Sequence, residues 1–225
     1  MSVSEIGLMD RLRAHWRTKL CLGSALTAVF CAGYFALGHN PMRLPIRLDD
    51  TVIDRSVEFA PGWVWAYQSL YLLLPFAWLS ETKDQLRRYA IGFAIVMLTG
   101  FGFFLLCPVA GPRPVATQGD LTHATPSDVM YGLLVRYDTP LNSMPSLHLA
   151  LATYSACVAV KVTSGLLRRR LQVGLPIWVI LIGYGALATK QHYWVDLPPG
   201  IALGWLAQLI AWRHSGKTEQ ATNDK

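Results

Sequence analysis

Charge is scarce in this chain. Asp, Glu, Lys and Arg make up 15% of its 225 residues, while 52% are hydrophobic. Soluble domains carry about 25% charged residues. The deficit, with a mean hydropathy of +0.31, argues against a water-soluble globule and for a polytopic membrane protein. Cysteine is also sparse. Cys21, Cys31, Cys107 and Cys157 form no Cys-x-x-Cys pair, which leaves no basis for a disulfide framework or a zinc site. All four lie in or beside apolar segments and read as small buried hydrophobes. Internal repeats, low-complexity tracts and any domain-sized polar region are missing as well, so one membrane domain is the simplest count.

What the chain has instead is long apolar runs. Six stand out: 20–37, 62–79, 89–109, 146–162, 173–189 and about 195–212. The first follows a basic segment with Arg11, Arg13, Arg17 and Lys19, the arrangement of a signal peptide. At about 18 residues it exceeds the roughly 7–15 of a signal core, so a retained helix is expected. The expected fold is all-α, a bundle of six transmembrane helices spanning 20–212. A cytoplasmic N-terminal segment (1–19) and a polar cytoplasmic tail (213–225) flank it. Gly92, Gly100 and Gly102 permit close helix contact in the third run. That run stops at Pro108, Pro112 and Pro114, which fix an extended turn. Ser127 to Arg136 has the signals of a short surface helix. The acidic 39–61 stretch, with Asp49, Asp50, Asp54 and Glu58, reads as a solvated loop face rather than a metal site.

The net charge of +6 would suit nucleic acid if it formed one patch. It does not. With six spans, fourteen Lys and Arg fall on one side, in the N-terminal segment, 81–88, 161–170 and the tail. The other side has six: Arg43, Arg47, Arg55, Arg113, Arg136 and Lys190. The positive-inside rule puts the fourteen in the cytoplasm. No nucleic-acid partner is expected, and the bilayer is. Arg113, His148, His192 and Asp196 all fall on the opposite face.

Two polar knots sit on that face, Asn142–His148 and Lys190–Asp196. His192 and Asp196 are four apart and share a side if helical. The carboxylate would hold one ring nitrogen and leave the other as a nucleophile. A capped helix start explains the same spacing without chemistry. Pro145-Ser146-Leu147-His148 opens the fourth apolar run. A helix N-terminus binds anions, Ser146 adds a hydroxyl, and His148 lies in the first turn. A cap from Ser143 or Ser146, with an incidental His, is the plainer alternative. Arg113, in a rigid Pro-rich turn, suits bidentate phosphate contact, and Lys190 is a second cation nearby.

Arg113-Pro114, Pro145-Ser146-Leu147-His148 and His192-x3-Asp196 occur in an order that resembles the type 2 phosphatidic acid phosphatase superfamily. That family's pattern is Lys-x6-Arg-Pro, Pro-Ser-Gly-His and Ser-Arg-x5-His-x3-Asp. The resemblance covers 89–212. It implies that His192 attacks phosphorus to form a phosphohistidine and that Asp196 orients it. His148 would protonate the leaving oxygen, and Arg113 and Ser146 would hold the phosphate, with no metal and no cofactor. Leu106, Leu147, Gly185 and Ala186 stand where the pattern has Lys, Gly, Ser and Arg. The chain therefore looks more like the branch with inositol phosphorylceramide and sphingomyelin synthases. Fewer cations suit a singly charged phosphodiester better than a monoester dianion.

The expected function is a membrane phosphoryl-transfer enzyme on a lipid phosphate or phospholipid, either phosphatase or head-group phosphotransferase. It would sit in a bacterial inner membrane or other plasma membrane, with its site on the periplasmic or extracytoplasmic side. A lipid transporter or flippase is the alternative class. Head group, acceptor and oligomeric state are not encoded in any pattern recognised in the sequence.

Overall fold

The computed structural model describes residues 8–113 and 125–213. Residues 1–7, Pro114 and most of the tail therefore lie outside the described residues.

Helix is the dominant element. α1 (Leu8–Arg13) and α2 (Trp16–His39) open the chain. α3 (Val52–Ser56) lies in the loop that follows, between short strand β1 (Ile46–Arg47) and a broken helical rod. The rod is a 3-10 turn at Pro61–Trp63, α4 (Val64–Gln68), α5 (Leu70–Leu73) and a 3-10 stretch at Leu74–Leu79. Next come α6 (Lys83–Leu106), strand β2 (Val109–Ala110) and α7 (Pro126–Tyr137). α8 (Leu147–Lys161) and α9 (Gly165–Ala188) follow. A 3-10 turn at Trp194–Asp196 leads directly into α10 (Leu197–Ala211).

All six expected apolar runs are helical. Three helices, α2, α6 and α9, are long and apolar enough to cross a membrane, and α8 is a shorter apolar helix. Their outer faces are greasy. Leu98 and Leu106 on α6, Ile177 and Ile180 on α9, and Trp205 and Ile210 on α10 are exposed, as suits lipid contact. α2 begins at Trp16, four residues before the expected start, and α9 begins at Gly165 rather than Val173. Arg168, Arg169 and Arg170 are thus helical and exposed. Charge does not end a helix; it only ends its apolar part.

α8 is the central helix, packed against α6, α9 and α10. Lipid is as apolar as leucine, so close packing must hold such helices together. Small residues allow it. A Cβ on Gly200 of α10 would come within 2.5 Å of the Ser146 carbonyl oxygen. Gly204 likewise lies against the Ala150 carbonyl, and Gly92 makes room for the Tyr154 ring. The Tyr154 hydroxyl then donates to the carbonyl of Tyr89 at 2.8 Å, tying α8 to α6. At the far end, Arg11 pairs with Glu81 and donates to the Val162 carbonyl just past α8.

At the near end, irregular segments are stitched together. β1 and β2 pair in parallel, Ile46 with Val109 and Arg47 with Ala110, and Val109 also bridges Asn142. The proline-rich exit from α6 is therefore the extended turn expected. α7 starts at Pro126, capped by Thr125 in a reciprocal box with Asp128, rather than at Ser127.

Two expectations are corrected. Cys21, Cys31 and Cys107 are exposed, Cys157 is half-buried, and all four are free thiols. Cys21 and Cys31 lie on α2, where Cys31 lines a groove, Cys107 just past α6 and Cys157 on α8, and none belongs to the buried core. The acidic 39–61 stretch is not wholly solvated either. Asp54 is 5% exposed. It accepts from the Trp194 backbone N–H at 2.7 Å and from Thr51, which clamps the loop onto the second knot.

Candidate active site

The two knots meet at one end of the bundle. Ser146 caps α8, its hydroxyl accepting from the Leu149 N–H at 3.4 Å. Its own N–H donates to the Asp196 carbonyl at 3.1 Å, so the start of α8 is fixed to the start of α10. His192 is not on a helix with Asp196. It lies in the bend after α9, where its N–H and that of Gln191 both point at the Ala186 carbonyl. The 3-10 turn then swings Asp196 back beneath the ring. The Asp196 carboxylate accepts from the Tyr193 N–H at 2.9 Å, as a helix-capping group does.

The imidazole of His192 is held at both nitrogens. Nδ1 lies 3.4 Å from Asp196 Oδ2 and 3.3 Å from Ser143 Oγ. The Ser143 hydroxyl also donates to the same Asp196 oxygen. Nε2 faces Ser146 Oγ at 3.2 Å. Asp196 and Ser146 are fully buried and His192 is 5% exposed. A buried carboxylate beside Nδ1 favours the tautomer with the proton there and the lone pair on Nε2.

His148 lies in the first turn of α8. Its ring centroid is 6.2 Å from that of His192. Tyr67 on α4 stacks on it at 4.1 Å, with 20° between the planes. The Tyr67 hydroxyl meets His148 Nδ1 at 2.9 Å. His148 Nε2 is buried and has no hydrogen-bond partner among the described residues. The ring also lines a groove of about 610 Å³ whose walls are mostly apolar, including Leu26, Phe30, Leu74, Phe93 and Leu151. Such a groove suits an acyl chain that ends at an imidazole.

The two cations are placed differently. Arg113 Nη1 donates to the Asp138 carbonyl at 2.8 Å and Nη2 to the Asp138 carboxylate at 2.5 Å. Lys190 adopts a left-handed backbone, φ 53°. Its ammonium donates to the carbonyls of Asp54 at 2.8 Å and Val57 at 2.6 Å. It is engaged at the end of α3, holding the loop rather than facing the imidazoles. Burial raises the Asp54 carboxyl, but hydrogen bonds from Thr51 and Trp194 and the Lys190 charge outweigh this and hold it below the usual range.

Packing accounts for three of the four departures from the resemblance, Leu147, Gly185 and Ala186, whereas Leu106, where the pattern has Lys, is exposed. A Cβ at Gly185 would approach the Tyr67 nitrogen to 2.9 Å, and Ala186 is fully buried. Leu147 is buried against Gly100. Among the described residues no cluster of three His, Cys, Asp or Glu side chains is arranged to hold a metal. Sequence reasoning missed three partners. Tyr67 and Asp138 carry no local signal that marks them, and Ser143 stood out only as a cap.

No curated protein and no solved structure matches the chain. A family model described as PAP2 superfamily matches residues 52–210, which takes in both knots, Arg113, Asp138 and every helix from α3 to α10. The chain belongs to the PAP2 superfamily.

Proposed function

We propose that this protein is an integral membrane phosphoryl-transfer enzyme that acts on a lipid phosphate ester through a phosphohistidine on His192. Membership of the PAP2 superfamily suggests phosphatase or phosphotransferase activity at a membrane. The observation that carries the finer reading is the pair of imidazoles. His192 is oriented by Asp196 and Ser143, and its centroid lies 6.2 Å from that of His148. That spacing leaves room for one phosphoryl group between them.

In the first step the lone pair of His192 Nε2 forms a bond to phosphorus. The bond from phosphorus to the ester oxygen breaks, and that oxygen takes a proton from His148 Nε2. Asp196 stabilises the charge that develops on the His192 ring. Ser146 and Arg113 hold the non-bridging oxygens, and fixed donors of this kind stabilise the transition state without reorganisation. In the second step His148 removes a proton from water or an alcohol, whose oxygen attacks phosphorus as the phosphorus–nitrogen bond breaks. Water gives a phosphatase and an alcohol gives a head-group transferase. The acyl chains lie in the apolar groove beside His148.

In this reading six helical segments cross the bilayer, with the site on the extracytoplasmic side. Lys190 supports the site by holding the loop instead of binding phosphate.

The test is turnover of labelled lipid phosphates by the purified chain. His192→Ala should fall to background, and His148→Ala should lose about 10²–10⁴-fold, the usual worth of a general acid. Millimolar vanadate should inhibit the wild type. Wild-type lipid movement that survives both substitutions, with no turnover, would instead support a transporter.

A further inference from the structure

The phosphate-binding arginine carries its own counter-ion. Asp138 follows α7 immediately, and its carboxylate is fully engaged. Oδ2 accepts from Arg113 Nη2 at 2.5 Å. Oδ1 accepts from the Tyr34 hydroxyl at 2.7 Å and from the Thr139 N–H at 2.9 Å. The ion pair is largely sequestered, with side chains 10% and 14% exposed. Its carboxylate reaches the groove that holds His148, while Arg113 lines a second pocket with Arg47, Gly111 and Pro140. Asp138, Tyr34 and His148 line the same groove. The arm that bears Arg113 lies directly on the His192 turn, since a Cβ at Gly111 would come within 2.6 Å of the Gln191 carbonyl oxygen.

A guanidinium offers five N–H donors. Protein acceptors take Nη1 and Nη2. Nε is buried and has no acceptor among the described residues. Arg113 therefore retains a donor while its charge is already balanced. Lys190 adds little, because its ammonium rests on two carbonyls at the end of α3. The site offers hydrogen bonds to phosphate with little net positive charge. A dianion brought beside Asp138 would meet a carboxylate at close range, and a like charge in a poorly solvated site is strongly unfavourable.

We infer that Asp138 is a specificity-determining residue that selects the charge of the phosphate, favouring a singly charged phosphodiester over a doubly charged monoester. This rests on the phosphoryl-transfer reading above, and it names the substrate class for that site. Arg113 supplies directional donors, and Asp138 cancels the charge that a monoester would need.

The experiment compares wild type and Asp138→Asn at pH 8, on a lipid phosphomonoester and a phosphodiester with the same acyl chains. The amide keeps an oxygen for the Tyr34 and Thr139 donors. Asp138→Asn should raise monoester kcat/KM relative to diester by about 10-fold or more, the scale of one neighbouring charge. Inhibition by inorganic phosphate should tighten about 10-fold, with little change for dimethyl phosphate. Tyr34→Phe, which removes a hydrogen bond and no charge, should leave the substrate ratio within about 3-fold, a fraction of one charge's effect. Equal loss on both esters, an unchanged ratio, or an equal shift in Tyr34→Phe would overturn the assignment. If wild type turns over neither ester, the phosphoryl-transfer reading fails. Binding of inorganic phosphate against dimethyl phosphate, read by calorimetry, still decides the role of Asp138: stronger phosphate binding in Asp138→Asn supports it, and unchanged binding refutes it.

Discussion

Tyr67 is both stacked on and hydrogen-bonded to His148. It reaches Nδ1 at 2.9 Å, and Nε2 has no hydrogen-bond partner among the described residues. Removing the phenol leaves a buried nitrogen without a partner, at a cost of about 1–3 kcal/mol. Tyr67→Phe should therefore lower kcat about 10- to 100-fold with KM little changed. It should also displace the limb of the pH–rate profile that reports His148. A profile of unchanged shape with a uniformly smaller amount of active enzyme would assign Tyr67 a packing role only. The residues that meet at this end of the bundle were legible in the sequence, because each motif is local: His192 and Asp196 are four apart, and Ser146 and His148 are two apart. Their partners were not. Tyr67 reaches His148 across 81 positions and Ser143 reaches Asp196 across 53. No periodicity encodes a hydrogen bond between a tyrosine on one helix and the first turn of another. Arg113 shows the converse. It was singled out as a candidate phosphate ligand, but its pairing with Asp138 was not readable, because that acid lies 25 residues on, after α7.

At the scale of elements, the His192 turn is held by the loop before α4. Asp54 accepts from Trp194, and Lys190 returns to the carbonyls of Asp54 and Val57. The six apolar runs read from the sequence fall on helical segments, and three of those helices are long and apolar enough to cross a membrane. The sequence assigned the loop between the first two to solvent, because a run of carboxylates usually is. One buried N–H of Trp194 suffices to reverse that for Asp54. Likewise, His192 and Asp196 were expected to meet along a helix, and they meet through a bend and a 3-10 turn. The pH dependence has a definite sign. The folded-state pKa of Asp54 is depressed, so its contribution is complete above the unfolded value of about 3.9 and disappears as pH falls through the lower folded value. Asp54→Asn should lower stability at pH 7 by about 1–3 kcal/mol, the worth of charge-assisted hydrogen bonds. Thermal melts from pH 7 downward should show the gap to wild type closing below about pH 4. A gap that stays constant to pH 3 would remove the carboxylate from the account.

For the whole molecule, the claim concerns sides. The site end carries the 39–61 loop, β1 with β2, and both knots, while Arg168, Arg169 and Arg170 open α9 at the other end. Cysteines placed singly at exposed Asp49 and Arg169, in a background without the four native thiols, should label differently in intact cells. Position 49 should react with an impermeant maleimide from outside, and position 169 only after permeabilisation. Labelling of both from one side would refute the six-span arrangement. The proposed chemistry joins all three scales, since a helical bundle, a clamped turn and two adjacent imidazoles together suit a phosphorus bond at His192. The most direct measurement is to quench the protein with 32P-labelled lipid substrate and map the label. A phosphoramidate on His192, stable to base, labile to acid and absent from His192→Ala, is the expected result. Turnover with no labelled protein under rapid quench, or label that persists in His192→Ala, would contradict it.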